Sequence, residues 1–160
     1  MKFNRMTIFK SVLYLVLEAG LFALYIPLAF LRNGPLMETG IISLLAIPLW
    51  FIGSLIILRC FLDFTLMGRG TPVPMDPPKE LVVTGFYRYA RNPIYVGVVL
   101  IFLGHFLWFG YWSLLLYALF SFIGVHAFIV FYEEPTLKRK FGAAYEEYLK
   151  KVPRWIPRFR

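Results

Sequence analysis

Four long apolar runs occupy most of this 160-residue chain and leave few options for its fold. They cover residues 11–31, 41–62, 94–109 and 112–132. A helix needs about 20 apolar residues to cross a bilayer, with a range of about 17–25. Three runs meet that length alone. The third has 16 residues and comes close once the wetted start at 91–93 is counted, which gives a helix over 93–109. With 59% hydrophobic residues and a mean hydropathy of +0.67, a soluble domain of this size has too little interior to hide its apolar surface. The expected fold is therefore an all-α membrane protein with four transmembrane helices at about 11–31, 41–62, 93–109 and 112–132. A link over 63–92 and a C-terminal tail over 133–160 complete a single membrane domain. The first run is too long for a cleavable signal, lacks a small-residue cleavage site and is soon followed by another apolar run.

The charges set the orientation. All but Arg32 of the 17 basic residues fall in the N-terminus, in the stretch from Arg59 to Arg91, or in the tail. The positive-inside rule then puts both termini and the long link in the cytoplasm and makes the protein multi-pass. Runs three and four form a hairpin around Gly110-Tyr111. Its two open ends bring Arg91-Asn92-Pro93-Ile94-Tyr95 and Glu133-Glu134 to one membrane face. At about 1.5 Å per residue the arm back to Ile94 is roughly 10 Å shorter than the arm to Glu133, so tilt or a kink is expected.

The net charge of +8 in so apolar a chain points to a basic membrane-facing surface and away from nucleic acid. One cysteine, Cys60, and two histidines in apolar runs leave no expected metal site and no internal disulfide. The stretch 63–93 contains Pro72, Pro74, Pro77, Pro78 and Pro93, which forbid a long helix, and Gly68, Gly70 and Gly85, which permit tight turns. Leu81-Val82-Val83 and Phe86-Tyr87 are too apolar to stay in water, so the link reads as a stiff flap packed over the helix ends. In the tail, Leu137, Phe141, Tyr145, Tyr148, Leu149 and Val152 recur at helical spacing among lysines and glutamates. That pattern predicts an amphipathic helix lying on the inner leaflet. Pro135 suits its first turn, and Glu133-Glu134 suit its positive N-terminal dipole. The acids thus have two readings, as helix caps or as ligand-binding carboxylates.

The stretch LVVTGFYRYARNPIYVG, residues 81–97, resembles the signature of the membrane-embedded methyltransferases, the isoprenylcysteine carboxyl methyltransferases and phospholipid N-methyltransferases. The likeness continues through Glu133-Glu134, Leu137, Phe141-Gly142, Tyr145, Tyr148, Val152-Pro153 and Pro157. It spans residues 70–160, and the ordered series of pieces carries it. It implies S-adenosyl-L-methionine as methyl donor. It also implies a cofactor site made by Leu81, Val82, Gly85, Tyr87, Arg91, Asn92, Pro93, Ile94, Tyr95, Glu133 and Glu134, with Glu134 the favoured acid for the polar part. Arg88 or Arg91 would pair with the cofactor carboxylate. No catalytic residue is assigned, because methyl transfer from a sulfonium needs alignment and desolvation before it needs a base. Asn92 stands where the carboxyl methyltransferases usually have histidine, and residues 128–132 lack the arginine those enzymes carry. Both differences favour a lipid amine or another amphiphile over a prenylcysteine carboxylate.

Glu18, mid-span, is a candidate for holding the acceptor, against the plainer reading of an interhelical hydrogen bond or a protonated carboxyl. His105, His126 and Cys60 read as packing. The competing functions are an isoprenylcysteine-type carboxyl methyltransferase, a membrane NADPH-dependent reductase, and a non-catalytic membrane scaffold. The expected partners are the membrane and a lipid or amphiphilic acceptor; no obligate protein partner is inferred.

Overall fold

In the computed structural model, residues 19–30, 34–67 and 79–156 are described, together with residues 9, 12, 13, 16 and 17. Glu18, much of the proline-rich link at 68–78, and residues 157–160 lie outside the described residues. The chain is helical, and among the described residues no strand forms beyond one isolated bridge, Leu36 to Tyr111. Helix α1 is Ile26–Phe30, entered through a π-helical stretch, Ala19–Tyr25. Helix α2, Ala46–Leu66, follows a 3₁₀ stretch, Gly40–Leu45. After a 3₁₀ turn at Gly85–Arg88 come α3, Pro93–Phe109, and α4, Trp112–Phe128. A π segment, Ile129–Glu133, joins α4 to α5, Glu134–Phe141, and α6 is Ala143–Lys151.

Three helix irregularities sit beside three prolines. A proline has no N–H to donate, and its ring crowds the carbonyl four residues back. Pro27 follows the first π stretch, Pro48 follows the 3₁₀ stretch, and Pro135 follows the second π segment. Each time the backbone changes its hydrogen-bond pattern just before the ring and then resumes an α-helix.

Two continuous helices, Gly40–Leu66 and Trp112–Phe141, are long and apolar enough to cross a membrane. Their large side chains face outward: Ile41 is 83% exposed, Phe51 69% and Phe120 67%. Such a surface belongs in lipid. Helix α3, at 17 residues, is shorter and packs most extensively on α2. The two backbones nearly touch where glycines face each other. A Cβ on Gly53 would lie 2.6 Å from the Gly97 carbonyl oxygen, and one on Gly97 would lie 2.8 Å from the Gly53 oxygen. Without a hydrophobic drive between helices in lipid, close approach of this kind is a principal source of association.

At the far end of the hairpin the two outer connections meet. Met37 N–H donates to the Gly110 carbonyl at 2.7 Å and Trp112 N–H to the Pro35 carbonyl at 3.3 Å. Within the bundle, Tyr117 OH donates to the Phe22 carbonyl at 2.9 Å, tying α4 to the first segment. His105 Nδ1 lies 2.7 Å from the Ile101 carbonyl and 3.2 Å from Trp50 Nε1. Nδ1 accepts from the indole N–H in one tautomer and donates to the Ile101 carbonyl in the other, with the indole edge-on against the ring. His105 is thus a satisfied core histidine, in line with its reading as packing.

The tail departs from a single surface helix. It breaks at Gly142, where φ is +53°, into α5 and α6. Its apolar stripe turns inward: Tyr145, Tyr148 and Val152 are buried together, with Leu81 of the link, Leu137, Phe141 and Leu149 packed on them. The periodicity was legible, but the face it marks covers protein at the hairpin's open end.

Candidate active site

The start of α3, the junction of α4 with α5, and the tail converge on one pocket. Pro93 occupies the first turn of α3, where its missing N–H costs nothing. The first helical bond is closed by Val96 N–H onto the Asn92 carbonyl at 3.3 Å. The amides of Ile94 and Tyr95 therefore precede any partner within the helix. The pocket is lined by Phe64, Leu81, Val82, Tyr87, Arg91, Asn92, Glu133, Glu134, Leu137, Phe141, Tyr145 and Tyr148.

The two expected segments meet here. Arg91 Nη1 donates to Glu134 Oε1 at 2.8 Å, and Tyr95 OH donates to Glu133 Oε2 at 3.3 Å. Neither acid caps the tail helix through its side chain: Glu133 makes no capping bond, and the helix runs on through both residues. Glu134 is instead held by two arginines. Arg154 Nε reaches Oε1 at 2.8 Å and Arg154 Nη2 reaches Oε2 at 2.9 Å.

Arg154 belongs to a short strap that the sequence did not announce. Arg91 N–H donates to the Pro153 carbonyl at 2.9 Å, and Asn92 Nδ2 to the Arg154 carbonyl at 3.2 Å. Trp155 Nε1 donates to His126 Nδ1 at 3.3 Å, and Tyr148 OH to the Tyr87 carbonyl at 2.6 Å. Residues 153–155 thus tie the α3 corner, α4 and Glu134 together beside the pocket, and Tyr148 of α6 ties in the turn at Tyr87. Burial pushes the Tyr145 phenol up to about 12 and those of Tyr87 and Tyr148 well up too. All three remain neutral at physiological pH and offer aromatic faces without negative charge.

Of the sequence candidates, Leu81, Val82, Tyr87, Arg91, Asn92, Glu133 and Glu134 line the pocket. Tyr95 joins through its bond to Glu133. Pro93 is buried in the helix start, and Ile94 packs on the cluster of Cys60, Val82 and Tyr87. Gly85 does not line the pocket. Its φ is +57°, and a Cβ there would fall 2.1 Å from Asp63 Oδ2, so its place is structural. Arg88 also turns away, into a separate groove. Sequence reading missed Arg154, whose signal lies past the end of the periodic helix. It also missed Asp63, a carboxyl only 2% exposed near the end of α2.

The pocket offers a ligand both a donor and an acceptor between aromatic faces. Arg91 Nε is buried without a partner, a donor aimed at no protein acceptor. Glu133 keeps Oε1 outside its bond with Tyr95. The space is tight: about 40 Å³ admits the centre of a water molecule. Ligand pockets run to roughly 300–1,000 Å³, so a ligand of that size needs the lining side chains to move apart.

No curated protein matches the chain individually. The sequence model of the phospholipid methyltransferase family, however, matches residues 41–144. That span runs from the first turn of the 3₁₀ entry to α2 through α3, α4 and both acids into α6. With well over half of its length matched, and with helices whose outer faces suit only lipid, the chain belongs to the phospholipid methyltransferase family of membrane methyltransferases.

Proposed function

We propose that this protein is a multi-pass membrane enzyme that methylates the amine of a lipid or related amphiphile, using S-adenosyl-L-methionine held in the pocket beneath the tail strap. The observation that carries this reading is the meeting of Arg91 with Glu134 and of Tyr95 with Glu133 across 43 and 38 residues of sequence. When bound, S-adenosylmethionine supplies an electrophilic methyl group on a positively charged sulfur. Glu133 Oε1 suits its ammonium or ribose hydroxyls through charge-assisted bonds. Arg91 Nε and the first-turn amides of α3 suit its carboxylate. The faces of Tyr87, Phe141, Tyr145 and Tyr148 suit adenine and the sulfonium. Because both oxygens of Glu134 are engaged by arginines, Glu133 takes the direct role and Glu134 anchors the strap.

In this reading four helices span the bilayer, both termini and the pocket face the cytoplasm, and the basic edge of the tail lies toward the inner leaflet. The cofactor enters from water while the acceptor arrives laterally from lipid. The acceptor amine sheds its proton to water or to a pocket carboxylate. The strap and the bilayer exclude bulk water from the pocket.

The test is transfer of labelled methyl from S-adenosylmethionine into a total lipid extract, followed by identification of the product. The expected result is label on the amine headgroup of a lipid. Label on a carboxylate, or none with protein of proven fold, contradicts the reading.

A further inference from the structure

The turn at Gly85–Arg88 has two sides. One carries Tyr87 into the pocket. The other borders a second groove of about 390 Å³, lined by Leu55, Arg59, Gly85, Phe86, Arg88 and Tyr89. Arg59 lies within the span Gly40–Leu66, where an unmet charge is expensive. Asp63 meets only part of it, at 3.2 Å from Nη2, and 56% of the Arg59 side chain stays exposed. Arg88 sits across the groove, exposed, its guanidinium 5.6 Å from the centre of the Tyr89 ring. Among the described residues it has no ion pair.

Among the described residues, the guanidiniums of Arg59 and Arg88 and the Asp63 carboxylate leave one net positive charge at this spot. From the groove, the outward face of α2 continues as Leu55, Ile52 and Leu58, each about half exposed. A ligand that satisfies both features presents an anionic group to the two guanidiniums and carries a long apolar body. We propose that this groove binds the phosphodiester of a membrane phospholipid, with Arg59 and Arg88 on the phosphate and the acyl chains along α2. Guanidinium forks match phosphate oxygens in geometry as well as charge. The assigned role, holding the methyl acceptor one turn of chain away from the cofactor pocket, rests on the function proposed above. The binding itself does not.

The experiment uses the full chain in detergent, titrated with a short-chain phosphatidylethanolamine, a diacylglycerol of the same chains, and inorganic phosphate. The phosphatidylethanolamine is expected to bind, with the other two weaker by about tenfold or more. Arg88→Gln, at an exposed position, should weaken phosphatidylethanolamine binding by about tenfold or more and leave S-adenosylmethionine binding unchanged. Arg59→Lys, which keeps a cation beside Asp63, should also weaken lipid binding; Lys150→Gln on the tail should not. Wild-type lipid affinity in Arg88→Gln, or equal binding of diacylglycerol, overturns the site. Equal binding of inorganic phosphate makes it a free-anion site and overturns the lipid assignment. A protein that binds the lipid through Arg88 but not S-adenosylmethionine keeps the groove and sinks only the cofactor reading.

Discussion

Glu134→Gln should destabilise the protein by about 2–3 kcal/mol and release the tail. The Glu134 side chain is 18% exposed and meets Arg91, at 13%, and Arg154, at 30%. Glutamine keeps one acceptor oxygen but no charge. Arg154 can swing toward water. Arg91 is more enclosed and has an orphaned Nε already, so it loses the one carboxylate it pairs with among the described residues. Breaking a pair by removing one partner is worse than never having it, because the remaining charge stays desolvated. Thermal unfolding in detergent checks the loss, and limited proteolysis after Val152 checks tail release. Arg154→Gln should cost less, about 1 kcal/mol, since it leaves Arg91 paired. Unchanged stability and protection in Glu134→Gln would mean that these ion pairs do not hold the strap.

Gly97→Ala should cost about 3 kcal/mol, while the same change at Gly124 should cost nothing or gain up to about 1 kcal/mol. At Gly97 the new methyl lies 2.8 Å from the Gly53 carbonyl oxygen and 2.8 Å from Ile57 Cγ1. One of these is backbone, so α2 and α3 must separate along their main contact. At Gly124, inside α4, nothing lies within 4 Å. There alanine only restricts the unfolded chain and improves helix propensity. Comparing midpoints of thermal unfolding for the two variants isolates the packing effect, because the chemical change is identical. Equal effects at both sites would mean that the glycine contact contributes nothing.

Much of this organisation was legible in the residues. Apolar run lengths marked the helices, but the changes of backbone pattern before Pro27, Pro48 and Pro135 were not read from them. The Arg91–Tyr95 corner and the Glu133–Glu134 pair were placed together by hairpin arithmetic, and their side chains do meet. What escaped depends on chain reversal. The heptad-like spacing of Tyr145, Tyr148 and Val152 says that one face is apolar, but not whether lipid or Leu81 covers it. Arg154 lies beyond that periodic stretch, where sequence gives no direction for a side chain. Asp63 falls at the end of an apolar run and reads as the first residue of a loop, yet it packs against Gly85 with Oδ2 unpartnered. Gly85, placed in the cofactor site by resemblance, serves the other side of the same turn.

In the proposed enzyme one pocket, built from the α3 corner and the paired acids, holds a sulfonium nucleotide. Equilibrium binding of S-adenosylmethionine and of NADPH to the detergent-purified protein tests it most directly. S-adenosylmethionine should bind, Glu133→Gln and Arg91→Gln should each weaken it by about tenfold or more, and NADPH should not compete. Binding of NADPH in its place, or S-adenosylmethionine affinity untouched by both substitutions, would rule out this pocket as the sulfonium site.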